Sequence, residues 1–182
     1  MADGDGWVRC AAGHRHWGVH GAAGLLLVAP GPLVLLQHRA RWSHHGGTWG
    51  IPGGARARRE SAEQAALREA QEEAGVVAAD VEVEGEVVDD HGGWSYTTVL
   101  ATAPSALPVR PLDGESLALD WVPAEQVERR PLHPGFATGW PGHLAALSTP
   151  GRPAGAAPRP PPGAPDGDGD RDSHRDRTGD GS

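Results

Sequence analysis

Hydrophobic and polar positions fall into segments that can be read one at a time along the chain. "GAAGLLLVA" (residues 21–29) and "PLVLLQHR" (32–39) are apolar runs separated by Pro-Gly, a pattern that predicts two neighbouring strands. "SAEQAALREAQEEA" (61–74) has helical spacing. Ser61 is a suitable N-cap, Gln64 completes a capping box, and Gly75 suits the left-handed position that ends a helix. Ala66, Leu67, Ala70 and Ala74 form its predicted buried side. "VEVEGEVVDD" (81–90) alternates as a strand should, and "WSYTTVLATA" (94–103) follows after His91-Gly92-Gly93, predicting a hairpin. "SLALDWV" (116–122) reads as another strand, and "PAEQVER" (123–129) as a short helix begun by its proline. "PGFATGWPGHLAAL" (134–147) predicts a terminal helix that starts or breaks near Pro141. Strands enclosing a few helices, without regular βαβ alternation, indicate an α+β sandwich with a mixed sheet.

The pattern also bounds the domain. Residues 149–182 contain no Leu, Ile, Val, Phe, Tyr or Trp and run through "RPPPGAPDGDGDRDSHRDRTGDGS". Such a segment cannot bury enough apolar surface to offset the entropy of ordering it, so a disordered Pro/Gly/Asp/Arg-rich tail is expected. Its "DGDGDRD" lacks the downstream Glu of a calcium loop. Residues 1–15 read as an N-terminal extension and 16–148 as the folded domain.

Composition narrows the function classes. The chain has a formal net charge of −8, and all its positive side chains are Arg, with no Lys and no Asn. An acidic chain without a basic block opposes binding to long nucleic acid. A small phosphorylated ligand is compatible, because a cation and a few Arg supply a positive field locally. Cys10 is the single cysteine, so no intrachain disulfide forms. No apolar run approaches a membrane span, and a cytoplasmic protein is expected.

The strongest chemical signal is "REAQEEAG" (68–75), in which Glu69, Glu72 and Glu73 share a narrow arc of one helical face. If partly enclosed, two such charges about 6 Å apart at an effective dielectric near 20 repel by roughly 3 kcal/mol. Either the face is solvated or a cation sits against it. The preceding loop, "WGIPGGARARRE", supplies glycines whose backbone approaches a ligand closely. Arg68 is placed to pair with Glu60 of that loop, or with Glu72 one turn on.

Gly54, Glu60 and "REAQEEAGV", at these separations, resemble a complete Nudix box, the signature of the Nudix hydrolases. Ala70 departs mildly from the larger aliphatic residue usual there. The resemblance implies a Nudix-type α/β/α sandwich and Mg²⁺-dependent cleavage of a nucleoside diphosphate linked to another group, with Mn²⁺ able to substitute. By position, Glu72 and Glu73 would be metal ligands and Glu69 a ligand or the base acting on water. The Gly53 carbonyl would be a further ligand, and Glu60 with Arg68 the supporting ion pair. Many members add an acid from outside the box; Glu115 is the first candidate here, with Asp89, Asp90 and Asp113 as rivals.

For the substrate, Arg39 and Arg41 follow the second strand where members often place a phosphate-binding Arg. Trp94 and Tyr96 could stack on a base, and His91 stands where the proline of ADP-ribose-specific members would be. Nucleoside triphosphates, oxidised ones included, are the default substrate class. The alternatives are ADP-ribose, nucleotide sugars, dinucleoside polyphosphates, or a non-catalytic ligand sensor. Homodimers are frequent in the resembled family. Among residues outside the box, His44 and His45 are loop residues with a weaker claim on substrate. Trp42, Trp49 and Trp121 read as packing residues. "CAAGHRH" (10–16) has the look of a zinc half-site without an evident second ligand pair.

Overall fold

The computed structural model describes residues 3–147; the expected tail, 149–182, lies outside the described residues. A seven-stranded sheet forms the centre. Its strands are β3 (Ala22–Ala29), β4 (Leu33–Arg39), β5 (Trp49–Gly50), β6 (Gly53–Ala55), β7 (Glu82–Asp90), β8 (Ser95–Thr102) and β9 (Ser116–Pro123). β3 runs parallel to β8, and the other pairings are antiparallel, so the sheet is mixed. β3 meets β4 only near the Pro30-Gly31 turn, at Val28↔Val34 and Ala29↔Leu33; its first residues pair with β6 instead. This divergence opens the space that β6 fills.

Two helices cover the sheet, α1 (Ala62–Ala74) and α2 (Pro134–Leu147). The leucine run is buried on both faces because consecutive side chains serve different layers. Leu25, Leu27 and Leu35 pack with Ala62, Ala65, Ala66, Ala70 and Ala74 of α1, while Leu26, Val34 and Leu36 pack with Phe136 and Trp140 of α2. Each fully buried leucine contributes about 1.5–3 kcal/mol. The three layers are thus specified by a two-residue period inside a run that looks uniformly apolar.

α1 begins and ends where its residues direct. Ser61 Oγ accepts from the Gln64 N–H at 3.1 Å, and Gln64 Oε1 accepts from the Ser61 N–H at 3.0 Å. Gly75 takes φ 75° at the other end. One expectation changes: Leu67 is half-buried, and Ala62 and Ala65 join Ala66, Ala70 and Ala74 on the buried side. α2 neither starts nor breaks at Pro141 but runs through it. Trp140 and Phe136 are 1% and 7% exposed, and this packing outweighs the backbone hydrogen bond that proline forgoes. "PAEQVER" forms a 3₁₀ turn over Ala124–Arg129. Trp42, read as a packing residue, is 71% exposed in the loop after β4, whereas Trp49 is buried and Trp121 half-buried.

Two further strands, β1 (Trp7–Arg9) and β2 (Arg15–Trp17), form an antiparallel hairpin with Trp7 opposite Trp17. Strands this short carry too few residues for alternation to be read in the sequence. The hairpin is tied to the rest of the fold by the Ala11 N–H donating to the Gly92 carbonyl at 2.8 Å and the Trp94 indole N–H donating to the Gly18 carbonyl at 2.9 Å.

Close approach of β3, β6 and β8 requires glycine at position 24. A Cβ there would lie 2.2 Å from the Tyr96 hydroxyl oxygen and 3.0 Å from the Pro52 carbonyl oxygen. Gly24→Ala is therefore expected to destabilise the fold by about 1–3 kcal/mol. Adding Tyr96→Phe should recover part of that loss, as measured by a double-mutant cycle in urea; strict additivity would show that the predicted clash is absent.

Candidate active site

One guanidinium ties two of the α1 carboxylates, Glu69 and Glu72, to β6 and to the loop that follows it. Arg68 Nε and Nη2 donate to Glu60 Oε1 and Oε2 at 2.8 and 3.0 Å. Nη1 donates to Glu69 Oε1 at 2.8 Å and Glu72 Oε2 at 3.2 Å, and Nη2 also donates to the Ala55 carbonyl at 3.0 Å. Every N–H of the guanidinium fork is thereby engaged. Glu60 also accepts from the Ala57 N–H at 2.8 Å, so the loop, the strand β6 and the helix are joined through one side chain pair. The Arg68 hydrogen bond holds the Glu60 carboxyl below the usual carboxylate range, against the opposing effect of burial.

The other carboxylates face inward to different depths. Glu73 is 2% exposed, although it is charged in its ordinary state. Burial pushes its pKa up to about 8, opposed by hydrogen bonds from the Gln37 side chain and the Gly53 N–H, with Glu69 and Asp113 adding repulsion. The Gly53 N–H reaches Glu73 Oε2 at 2.9 Å. Burial likewise raises the Glu69 pKa; the Arg68 hydrogen bond opposes this, while Glu72 and Glu115 reinforce it. Glu72 is the most exposed of the three. A Cβ on Gly54 would stand 2.6–2.8 Å from the Glu69 carboxylate atoms, so glycine leaves room for that group.

This arrangement fits a hard divalent cation. The donors are carboxylate oxygens, one of them buried with no positive side chain in hydrogen-bond contact among the described residues, and they sit beside the glycines of β6. Sequence reading did not single out Gln37, which is fully buried and donates from Nε2 to Ser116 Oγ at 2.8 Å. Its signal was present, as a polar residue breaking the apolar run of β4. Gln37 Oε1 is buried without a hydrogen-bond partner among the described residues.

The remaining candidates separate into groups. Glu115 and Asp113 both act electrostatically on the α1 acids, Glu115 on Glu69 and Asp113 on Glu73. Asp89 instead contacts His91 Nε2 at 3.0 Å, and Asp90 accepts from the Gly92 N–H at 2.8 Å. The Tyr96 hydroxyl lies against Gly24 and Gly53, and burial pushes its pKa up. Trp94 is stacked on His16 with ring centroids 4.0 Å apart. Arg39 Nε donates to the His44 carbonyl at 3.4 Å, whereas Arg41 is exposed. His44 and His45 meet His133, with centroid separations of 6.3 and 4.7 Å from its ring.

Comparison with known proteins agrees with this geometry. A family model of the NUDIX domain matches residues 18–139. A Mycobacterium tuberculosis protein named "Putative 8-oxo-dGTP diphosphatase 3" is 53% identical over 148 residues, which is 76% of this chain and 68% of the relative. A Bifidobacterium longum "Nucleoside triphosphate pyrophosphatase/Nudix hydrolase fusion protein" is 48% identical over 79% of this chain, but the match spans 32% of that protein. The crystal structure of a Nudix hydrolase from M. smegmatis, RenU, has a TM-score of 0.76 and 48% identity, covering 82% of this chain and 98% of that one. A C. elegans Ap4A hydrolase, at TM-score 0.58 and 21% identity, shares the fold. The site and fold define a Nudix-type protein. The chain belongs to the Nudix hydrolase family.

Two outcomes follow from the geometry. Arg68→Lys, with fewer donors on a flexible stem, should lower stability by about 1–2 kcal/mol in urea unfolding. The second concerns His133. Its pKa is lowered to about 4, first by burial and then by Arg39, His45 and His44, and its Nδ1 accepts from the Gly135 N–H at 3.2 Å. The unfolded chain binds this proton near pH 6.5 and the folded chain near pH 4, so the penalty on the folded state grows as pH falls through that window. His133→Asn should therefore flatten the pH dependence of the melting temperature between pH 6.5 and 4, with an unchanged slope as the contrary result.

Proposed function

We propose that this chain hydrolyses a diphosphate linkage in a nucleoside diphosphate bearing a further group, with nucleoside triphosphates, oxidised ones included, as its substrates. The observation that carries this reading is the gathering of three α1 carboxylates beside β6: Arg68 holds Glu69 and Glu72, and the Gly53 N–H holds Glu73. Mg²⁺, or Mn²⁺ in its place, is the suited cation. Glu72, Glu73, Glu69 and the Gly53 carbonyl would hold it, with Glu115 as the acid from outside the helix. When bound, such a cation neutralises diphosphate oxygens and acidifies a coordinated water.

The chain's own residues supply the rest. Glu69, whose carboxyl is raised in pKa by burial, is suited to accept the proton of the attacking water. Water then forms a new P–O bond as the bond to the leaving phosphate or pyrophosphate breaks. Arg68 fixes the Glu69 carboxylate through a 2.8 Å hydrogen bond and Glu60 fixes Arg68, so both act as positioning residues. Arg39 and Arg41 would meet substrate phosphates and Tyr96 the nucleoside, whereas Trp94, stacked on His16, and His91, bonded to Asp89, are engaged elsewhere. Retention of all the box carboxylates favours an enzyme over a ligand sensor. The oxidised-nucleotide preference draws support from the mycobacterial relative named for 8-oxo-dGTP.

The test is a panel of deoxynucleoside triphosphates including 8-oxo-dGTP, with ADP-ribose, dinucleoside polyphosphates and nucleotide sugars, assayed with Mg²⁺ or Mn²⁺ and with products identified by mass. Triphosphates should be turned over selectively, and Glu72→Gln and Glu73→Gln should each lower kcat/KM by about 10²-fold or more. Turnover confined to another member of the panel would overturn the substrate assignment. No turnover at all by folded wild-type protein would sink the hydrolase reading.

A further inference from the structure

A second cluster of ligating groups lies where the turn of the N-terminal hairpin meets the β7–β8 turn. Cys10, His14, His16 and His91 each offer one ligand atom, and these atoms all lie within 4.8 Å of one another. Cys10 and His14 flank a single tight turn, and His16 lies on β2, which leaves it. The Gly13 N–H donates to the Cys10 carbonyl at 2.9 Å, and the Cys10 N–H donates to the His14 carbonyl at 3.0 Å. The fourth arrives from the far side of the sequence, on a tip pressed against that turn: a Cβ on Gly92 would stand 2.9 Å from the Ala11 Cβ. The backbone alone therefore assembles the set.

Ordinary packing explains part of this cluster. A buried free cysteine behaves as a small hydrophobe, and surface histidines are common. It does not explain His16, whose Nε2 is buried without a hydrogen-bond partner among the described residues. Such an orphaned nitrogen is costly unless something satisfies it. Trp94 stacks on the His16 ring at an interplanar angle of 14° and holds its orientation. His91 Nε2 contacts Asp89 Oδ2 at 3.0 Å, the kind of carboxylate contact that orients a ligating imidazole.

We infer that Cys10, His14, His16 and His91 form a zinc site that fastens the N-terminal hairpin to the tip of the β7–β8 hairpin. One thiolate and three imidazoles form a borderline-soft set that suits Zn²⁺ and excludes Mg²⁺. Four protein ligands leave no open position, so the site is structural. Ligand atoms around tetrahedral zinc lie roughly 3.3–3.8 Å apart, so the set must contract by about 1 Å, a distance that side-chain rotation covers. The trio His44, His45 and His133 is the poorer candidate, because it lacks a thiolate and the charge of Arg39 bears on it.

Co²⁺ titrated into the reduced full chain, with Mg²⁺ in excess to occupy the carboxylates of α1, tests this directly. The expected result is one equivalent of Co²⁺ with a thiolate charge-transfer band in the near ultraviolet and the visible bands of tetrahedral coordination, both displaced by one equivalent of Zn²⁺. The bands should vanish in Cys10→Ser and persist in Glu73→Gln. His14→Gln, at an exposed position, should weaken Zn²⁺ affinity by about 10²-fold while the protein stays folded by circular dichroism. Zn²⁺ should also raise the melting temperature of wild type but not of His14→Gln. The absence of a thiolate band in reduced wild type would overturn the site, as would a metal signal lost in Glu73→Gln but kept in Cys10→Ser. Neither result bears on hydrolysis, which the substrate panel reads separately.

Discussion

The Arg68 guanidinium is the constraint on which the candidate active site depends. It bonds to the loop through Glu60, to β6 through the Ala55 carbonyl, and to its own helix through Glu69 and Glu72. Like charges gathered on one helical face repel, and a fixed cation among them removes part of that repulsion without using the coordination space. Glu73 receives none of this relief. Its contacts come from neutral donors, the Gly53 N–H and the Gln37 amide, and its pKa rises accordingly. The two halves of the acidic face are thus differentiated: one is neutralised by the protein, and the other keeps a deficit of positive charge that a bound cation corrects.

This differentiation begins with the small residues of α1. Ala62, Ala65, Ala66, Ala70 and Ala74 are all buried against β3 and its neighbours, which lets the helix axis approach the sheet closely. The same approach takes Glu73 out of water. A larger residue in place of Ala70 would fill the layer by a different route, so alanine there belongs to a close-packed version of the interface. The glycines at 24, 53 and 54 extend this logic within the sheet, where the Tyr96 hydroxyl, the Ala23 carbonyl and the Glu69 carboxylate occupy the space a Cβ would take.

Local chemistry made much of this legible in advance. The capping box, the glycine stop, the β7–β8 hairpin and the Arg68–Glu60 pair depend on residues near one another in sequence, and each appears as expected. What stayed hidden is tertiary. Helical spacing puts Glu73 on the acidic arc, but its near-complete burial depends on how close the sheet lies. Pro141 reads locally as a break, and Trp140 overrides it. Trp42 reads as core by residue type, yet its loop carries it into solvent. Gln37 looks like the frayed end of an apolar run until β9 brings Ser116 beside it.

The N-terminal hairpin illustrates the same division most clearly. "CAAGHRH" shows a half-site because its spacing is local, and His91 is invisible as its partner because the contact spans the chain. Nothing in the β7–β8 turn marks His91 for this role; the fold does so by setting Gly92 against Ala11. The consequence is a separation of cation chemistry within one domain. Hard oxygen donors gather on α1, while a thiol and imidazoles gather at the hairpin turns. Ligand softness then favours the partition: a site of thiolate and imidazole gives Mg²⁺ no oxygen ligands, and the thiolate-free α1 face offers zinc no sulfur to compete with the cluster.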